Sequence, residues 1–192
     1  MNNEKESVII GLDISSSVIG ISVFNLSMKL IELKFLKFKS EKIENYEILF
    51  NKVELFENLL KDYLEKNNFI LNEVRIEANA KAFSGGKTTA HTMFILAKIN
   101  ALVAYTVWKN YPKIKIKETQ VASARKKIGF KKKKDSKDKI KEQVFNHVIS
   151  SYAEVLKWLP VKTFKSGPRK GEIGYEDHAR DMIDAYVIAK GS

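Results

Sequence analysis

Apolar residues along this chain recur first with period two and later with a period near 3.6, and that change lays out the elements. Ser7 to Ser15 (SVIIGLDIS) is an apolar run rich in β-branched residues, and Ile19 to Leu26 is another; Ser15, Ser16 and Ser17 join them. Two such runs around a short polar connection predict a β-hairpin. From Leu30 to Phe38, Ile31, Leu33 and Phe35 alternate with Glu32 and Lys34, as expected of an antiparallel strand with one wet face. From Glu44 to Lys66 the spacing becomes helical, with Ile48, Leu49, Val53, Phe56, Leu59, Leu60, Tyr63 and Leu64 on one stripe. Glu73 to Ala78 then gives a fourth strand, which a right-handed helical crossover sets parallel to the first. A polar loop (Asn79 to Lys87), a long apolar helix (Thr88 to Asn110) and a strand (Lys113 to Glu118) repeat the alternation. A short helix from Gln120 to Lys127, a helix capped by Asp135 or Ser136 and running to Ser150, an exposed loop from Thr163 to Gly174 and a helix from Asp177 to Ala189 complete the chain. The expected fold is α/β: a mixed five-stranded sheet, three antiparallel N-terminal strands plus parallel strands, flanked by helices.

A length of 192 residues with 44% hydrophobic and 30% charged positions suits one globular domain spanning residues 1–192. The polar start, Met1 to Glu6, carries no secretory signal, which points to an intracellular protein. Thr92 to Trp108 is interrupted by Lys98 and Asn100, so it reads as a buried helix, and no membrane role is expected. The absence of cysteine excludes disulfides, thiolate metal sites and cysteine nucleophiles. The net charge of +11 is uneven: residues 1–112 hold 14 Lys/Arg against 13 Asp/Glu, and residues 113–192 hold 20 against 10. That bias is compatible with a polyanionic partner, and equally with solvated lysine-rich faces.

Four acids change the picture. Asp13 interrupts the most hydrophobic strand, where an uncompensated carboxylate costs several kcal/mol. Glu77 ends the fourth strand, which the crossover brings beside the first. Asp181 and Asp184 share one helix face that continues into Ala185 and Ile188 and so points to the core. Each acid alone reads as a turn former or a solvated side chain. Together on three elements they make a site for hard divalent cations, Mg²⁺ with Mn²⁺ as substitute, and two such ions suit phosphodiester hydrolysis.

Gly11 to Val23 (GLDISSSVIGISV) resembles the first hairpin of RuvC-type Holliday-junction resolvases of the RNase H-like superfamily. Arg75-Ile-Glu-Ala78 resembles their second acidic strand, Thr119 to Gly129 the segment before their basic loop, and Asp181-Met-Ile-Asp-Ala185 their terminal Asp-x-x-Asp-Ala. The resemblance implies an RNase H-like fold with Asp13, Glu77, Asp181 and Asp184 as catalytic metal ligands for two Mg²⁺ ions. It also implies a homodimer acting on four-way DNA junctions. The Ser-rich turn, the dense lysines and the extra sequence from Leu156 to Gly174 depart from the bacterial pattern and are similar to phage or prophage members, which implies the cytoplasm of a bacterial host. His178, one turn before Asp181, is a further candidate for metal or the attacking water, or is structural. Lys131, Lys132, Lys133, Lys134 and Lys137 are candidate phosphate contacts, or a solvated loop. Phe83, in the loop after Glu77, matches the position of a stacking aromatic, or is core.

Three other classes fit part of this pattern. An actin or sugar-kinase-like ATP-binding protein shares the Gly-hydrophobic-Asp hairpin, yet the further glycine-rich loops are not evident. An RNase H-type nuclease on RNA–DNA hybrids shares the acids and not the basic loop. A non-catalytic DNA-binding module gains nothing from four acids that repel phosphate.

Overall fold

The computed structural model describes residues 5–39, 43, 45–78, 90–133 and 135–192. The alternating runs become strands β1 (Glu6–Ile14), β2 (Val18–Asn25), β3 (Leu30–Lys37), β4 (Phe69–Glu77) and β5 (Lys115–Thr119). They form one sheet in the order β3-β2-β1-β4-β5. β1 runs antiparallel to β2 and parallel to β4, and β4 runs parallel to β5, so the sheet is mixed as expected. The helices are α1 (Tyr46–Lys66), α2 (Ala90–Asn110), α3 (Val121–Lys127), α4 (Ile140–Ser151) and α5 (His178–Lys190). Asn45 caps α1, its side chain accepting from the Ile48 amide at 3.1 Å.

Period-two alternation divides the strands between two cores. On one face Ile10, Leu12, Ile14, Ile19, Ile21, Val23, Val74 and Ile76 pack with Leu49, Val53, Phe56 and Leu60 of α1 and with Ile99, Val103 and Val107 of α2. On the other, Ile9, Phe24, Leu30 and Leu33 pack under Met182, Ile183 and Tyr186 of α5 and Val144, Phe145 and Val148 of α4. Gly11 and Asp13 share the parity of Ile9, so they too face α4 and α5.

Four boundaries differ from the sequence reading. β4 begins at Phe69 and not at Glu73, because Val8 pairs with Leu71 while Ile9 pairs with Glu73, leaving Asn72 as a bulge that breaks the alternation. The fifth strand begins at Lys115, since Tyr111 to Ile114 makes a turn closed by the Ile114 amide donating to the Tyr111 carbonyl at 3.1 Å. α4 begins at Ile140 and neither Asp135 nor Ser136 caps it: Ser136 Oγ instead accepts from the Asp138 amide at 3.1 Å, and Lys139 occupies the cap position without a side-chain bond. The segment from Thr163 to Gly174 is not wholly loop. Its ends pair as a second, two-stranded sheet, β6 (Val161–Thr163) with β7 (Ile173–Tyr175), preceded by a 3₁₀ turn at Ala153–Trp158.

Candidate active site

Asp13 and Glu77 lie at the carboxyl ends of the parallel pair β1 and β4, just past the Leu12–Ile76 register pair. The turn after Asp13 is fixed locally: Ser15 Oγ accepts from the Val18 amide at 3.0 Å and donates to the Val18 carbonyl at 2.8 Å. Lys52 of α1 donates to the Ser16 carbonyl at 3.1 Å.

Two glycines bring the remaining acids onto the strands. Asp13 pairs with Gly20 across the hairpin. A Cβ at Gly20 would stand 2.1 Å from the Asp181 carbonyl oxygen, and one at Gly11 would stand 2.6 Å from the carbonyl oxygen of Ala185. Both distances are far below contact, so only glycine lets the α5 backbone rest on β1 and β2. Ser22 Oγ donates to the Ala185 carbonyl at 2.9 Å and fixes the helix along that trough. Asp181 and Asp184 thereby reach the strand acids.

The four carboxylates strain against one another. Burial, then the charge of Asp184, with Glu77 and Asp181 adding, holds the Asp13 carboxyl well above the usual aspartate range, although Lys141 opposes. Burial and Asp184 also raise Glu77, against a hydrogen bond with Asp13 and the charges of Arg125 and Lys141. Burial raises Asp184 as well, opposed by Lys141 and Arg125. Burial and mutual repulsion thus push Asp13, Glu77 and Asp184 in the same direction, toward holding their protons more tightly than free acids do.

Lys141 and Arg125 did not emerge from the sequence reading. Lys141 Nζ donates to Asp181 Oδ1 at 2.7 Å and lies 3.2 Å from Asp184 Oδ2. Burial disfavours its charge, but Asp184, the hydrogen bond to Asp181 and Asp13 together raise its pKa. Arg125 Nη2 lies 3.7 Å from Asp184 Oδ1, and its Nε is buried without a hydrogen-bond partner among the described residues. Their signal was positional: Lys141 shares the α4 face of Val144, Phe145 and Val148, and Arg125 follows the buried Ala124.

Among the described residues, no three acids or histidines close tightly enough around one point to hold an ion as the side chains stand. An ammonium group lies between two of the acids instead. The donor set nonetheless fits a hard divalent cation, since it is all carboxylate, largely removed from water and carries negative charge that its neighbours compensate only in part. Asp13, Glu77, Asp181 and Asp184 are the residues that would hold it. His178 Nδ1 lies 4.0 Å from Asp181 Oδ2, and its ring stacks on Phe35 with centroids 4.7 Å apart.

Lys131, Lys132, Lys133 and Lys137 are exposed on the loop before α4. Gln143 braces that loop at both ends, accepting from the Lys133 amide at 2.9 Å and donating to the Asp138 carbonyl at 2.8 Å. Lys134 and Phe83 lie outside the described residues.

No family model and no curated protein sequence matches this chain. Solved structures do. The structure of Thermus thermophilus RuvC aligns over 96% of this chain and 92% of its own, with TM-score 0.55 and 15% identity. This chain has the RuvC fold. The T. thermophilus RuvC complex with Holliday junction substrate covers 96% and 91% at TM-score 0.55 and 13% identity. The yeast mitochondrial Holliday junction resolvase Ydc2 covers 97% and 78% at TM-score 0.58 and 15% identity. Identity this low speaks for the RuvC fold, RNase H-like in its five-stranded sheet, while activity has to be argued from the site.

Proposed function

We propose that the protein is a structure-selective endodeoxyribonuclease that hydrolyses phosphodiester bonds in Holliday junctions or related branched DNA. The observation that carries this reading is the convergence of Asp13, Glu77, Asp181 and Asp184 at the ends of β1 and β4 and on α5, where burial and mutual repulsion raise the carboxyls of Asp13, Glu77 and Asp184. Buried acids that repel one another reward a cation, and two solved proteins of the same fold are named for Holliday junctions. Mg²⁺ or Mn²⁺ held by these four carboxylates would supply the Lewis acidity that activates water and stabilises the departing oxygen.

The chain's own residues do the rest. Lys141 and Arg125 hold Asp181 and Asp184 in position and offer positive charge beside the reacting phosphate. The lysines of the loop braced by Gln143 neutralise neighbouring phosphates and make binding fall steeply with salt.

A homodimer is part of the proposal. α2 is long and apolar enough by length and composition to cross a bilayer. Its Ile99, Val103 and Val107 are buried in the core, while Phe94, Tyr105 and Trp108 stay exposed, as do Tyr46 and Phe50 of α1; the Tyr105 and Trp108 rings lie 6.0 Å apart and those of Tyr46 and Phe50 5.9 Å apart. Large exposed aromatics on these two helices suit a two-fold interface.

The test is cleavage of a labelled four-way junction with Mg²⁺, beside linear duplex, an RNA–DNA hybrid and the Asp13→Asn variant. Paired cuts on opposed strands that vanish in the variant are expected. Cutting of the hybrid alone would move the reading to an RNase H role, and no metal-dependent cutting of any substrate would overturn it.

A further inference from the structure

The extra sequence before the last helix carries chemistry that the active site does not use. Residues 161–175 hold Lys162, Lys165, Arg169 and Lys170 against the single acid Glu172. A stretch this basic is commonly a solvated loop, but here it is built. Three register pairs, Val161–Tyr175, Lys162–Gly174 and Thr163–Ile173, join β6 to β7. The tip beyond them is closed by backbone bonds: the Phe164 amide donates to the Glu172 carbonyl at 2.9 Å, the Gly171 amide to the Phe164 carbonyl at 2.8 Å and the Lys170 amide to the Gly167 carbonyl at 3.1 Å.

One face of this ribbon presents cations around an aromatic ring. The Arg169 guanidinium lies 4.0 Å and Lys162 Nζ 5.4 Å from the Phe164 ring centre. A Cβ at Gly174 would fall 2.7 Å from the Phe164 ring, so the absence of a side chain there lets the ring and its guanidinium lie across the strand. Arg169 also pairs with Glu172 at 2.8 Å, while Lys165 and Lys170 are exposed at the tip and make no ion pair among the described residues.

The foot of the ribbon fixes where it stands. Lys162 Nζ bonds Asp177 Oδ1 at 3.1 Å, and the Glu176 amide donates to the Pro160 carbonyl at 2.9 Å. Asp177 precedes Asp181 by four residues, about 6 Å along a helix axis. Lys141, in the first turn of α4, bonds Asp181, in the first turn of α5. The N-termini of both helices therefore meet at the acids. The basic loop leads into one and the basic ribbon into the other.

We propose that the β6–β7 ribbon is a second DNA-contacting element, which grips the phosphate backbone of a duplex arm beside the strand entering the acids. The Gln143-braced loop holds DNA from the α4 side and the ribbon from the α5 side. The assignment rests on the nuclease reading for the identity of its ligand, and on the ribbon's own charge and geometry for its position. Lys165, Arg169 and Lys170 supply the phosphate contacts, and the Phe164 stack keeps Arg169 extended along the ribbon.

The test is the salt dependence of binding to a four-way junction without divalent metal. Wild type is compared with Lys165→Ala/Arg169→Ala/Lys170→Ala, and with Lys165→Glu/Lys170→Glu, which leaves the Arg169–Phe164 stack intact. Each lost phosphate contact flattens the plot of log affinity against log salt by about 0.9, so the triple variant should flatten it by about 2 to 3. Both variants should bind at least tenfold more weakly at about 100 mM salt, with wild-type melting temperatures. A wild-type slope in the triple variant, or a loss of binding in the triple variant without one in the charge reversal, would overturn the proposal. Junction cutting by wild type with an unchanged slope removes the ribbon alone; a flattened slope in a protein that cuts no junction removes the nuclease reading and leaves the ribbon.

Discussion

Asp13 lies on the α5 face of β1 with Glu77, Asp181 and Asp184 around it, and burial together with the charge of Asp184 raises its carboxyl above the value of about 4 that it has in an unfolded chain. A raised folded-state pKa makes the metal-free fold most stable below the ordinary aspartate range, and that contribution is lost as pH rises toward the raised value. At neutral pH the empty site thus costs stability. Asp13→Asn should abolish cleavage yet raise the melting temperature of metal-free protein at about pH 7.5, because the variant removes one of the mutually repelling buried carboxylates. Mg²⁺ should raise the melting temperature of wild type and leave the variant nearly unmoved, and thermal scans with and without Mg²⁺ check both. Lys141 competes for the position of a cation, since its ammonium bonds Asp181 and approaches Asp184. Lys141→Met should slow cutting by roughly 100-fold while tightening Mg²⁺ binding; a titration showing weaker Mg²⁺ binding would contradict that role. The acids were legible in the sequence because a carboxylate inside an apolar strand has to be explained. Lys141 and Arg125 were not, because a cation in a lysine-rich segment looks solvated until a partner appears.

At the scale of elements, the seam between α5 and the first hairpin governs the geometry. Gly11 and Gly20 remove side chains where the α5 backbone lies, and Ser22 bonds the helix between them. Gly20→Ala should force α5 outward, costing about 1–3 kcal/mol and lowering cleavage far more than Gly129→Ala, where a Cβ meets nothing within 4 Å although the positive φ of 80° adds some strain. Melting curves and initial cutting rates compare the two. The β1–β2 hairpin, β3 and the stripe of α1 were readable because their periodicity is uninterrupted. The first residues of β4 were hidden by the Asn72 bulge. The β6–β7 ribbon was hidden because Val161 and Ile173 are exposed, so no alternation between wet and dry faces marks its strands. The start of α4 was misread because Ser136, a good capping residue by type, spends its hydroxyl on Asp138.

At the scale of the molecule, the two sheet faces do different work. The α5 face carries the acids and the basic segments, and the opposite layer carries the exposed aromatics of α1 and α2. If that layer joins two copies, Tyr105→Lys/Trp108→Lys should yield a monomer by light scattering while each copy keeps its far-ultraviolet spectrum. A dimer that survives the double substitution would direct attention to another surface. The right-handed crossover rule set β4 parallel to β1, and so brought two of the four acids together from the sequence, while the full order β3-β2-β1-β4-β5 is seen only in the fold.

The trough in β1 and β2 also has a consequence in time. Ser22 and its α5 partner Ala185 are 163 residues apart, so translation delivers the cradle long before the helix that fills it. Chains emerge and fold from the amino end, and contacts this distant in sequence form late. An unfinished chain therefore lacks Asp181 and Asp184 and exposes the apolar floor that α5 will cover. The completed set of four acids and the protection of that floor arrive in the same event, so on the nuclease proposal a ribosome-bound fragment is harmless to nucleic acid and dependent on prompt completion for its solubility.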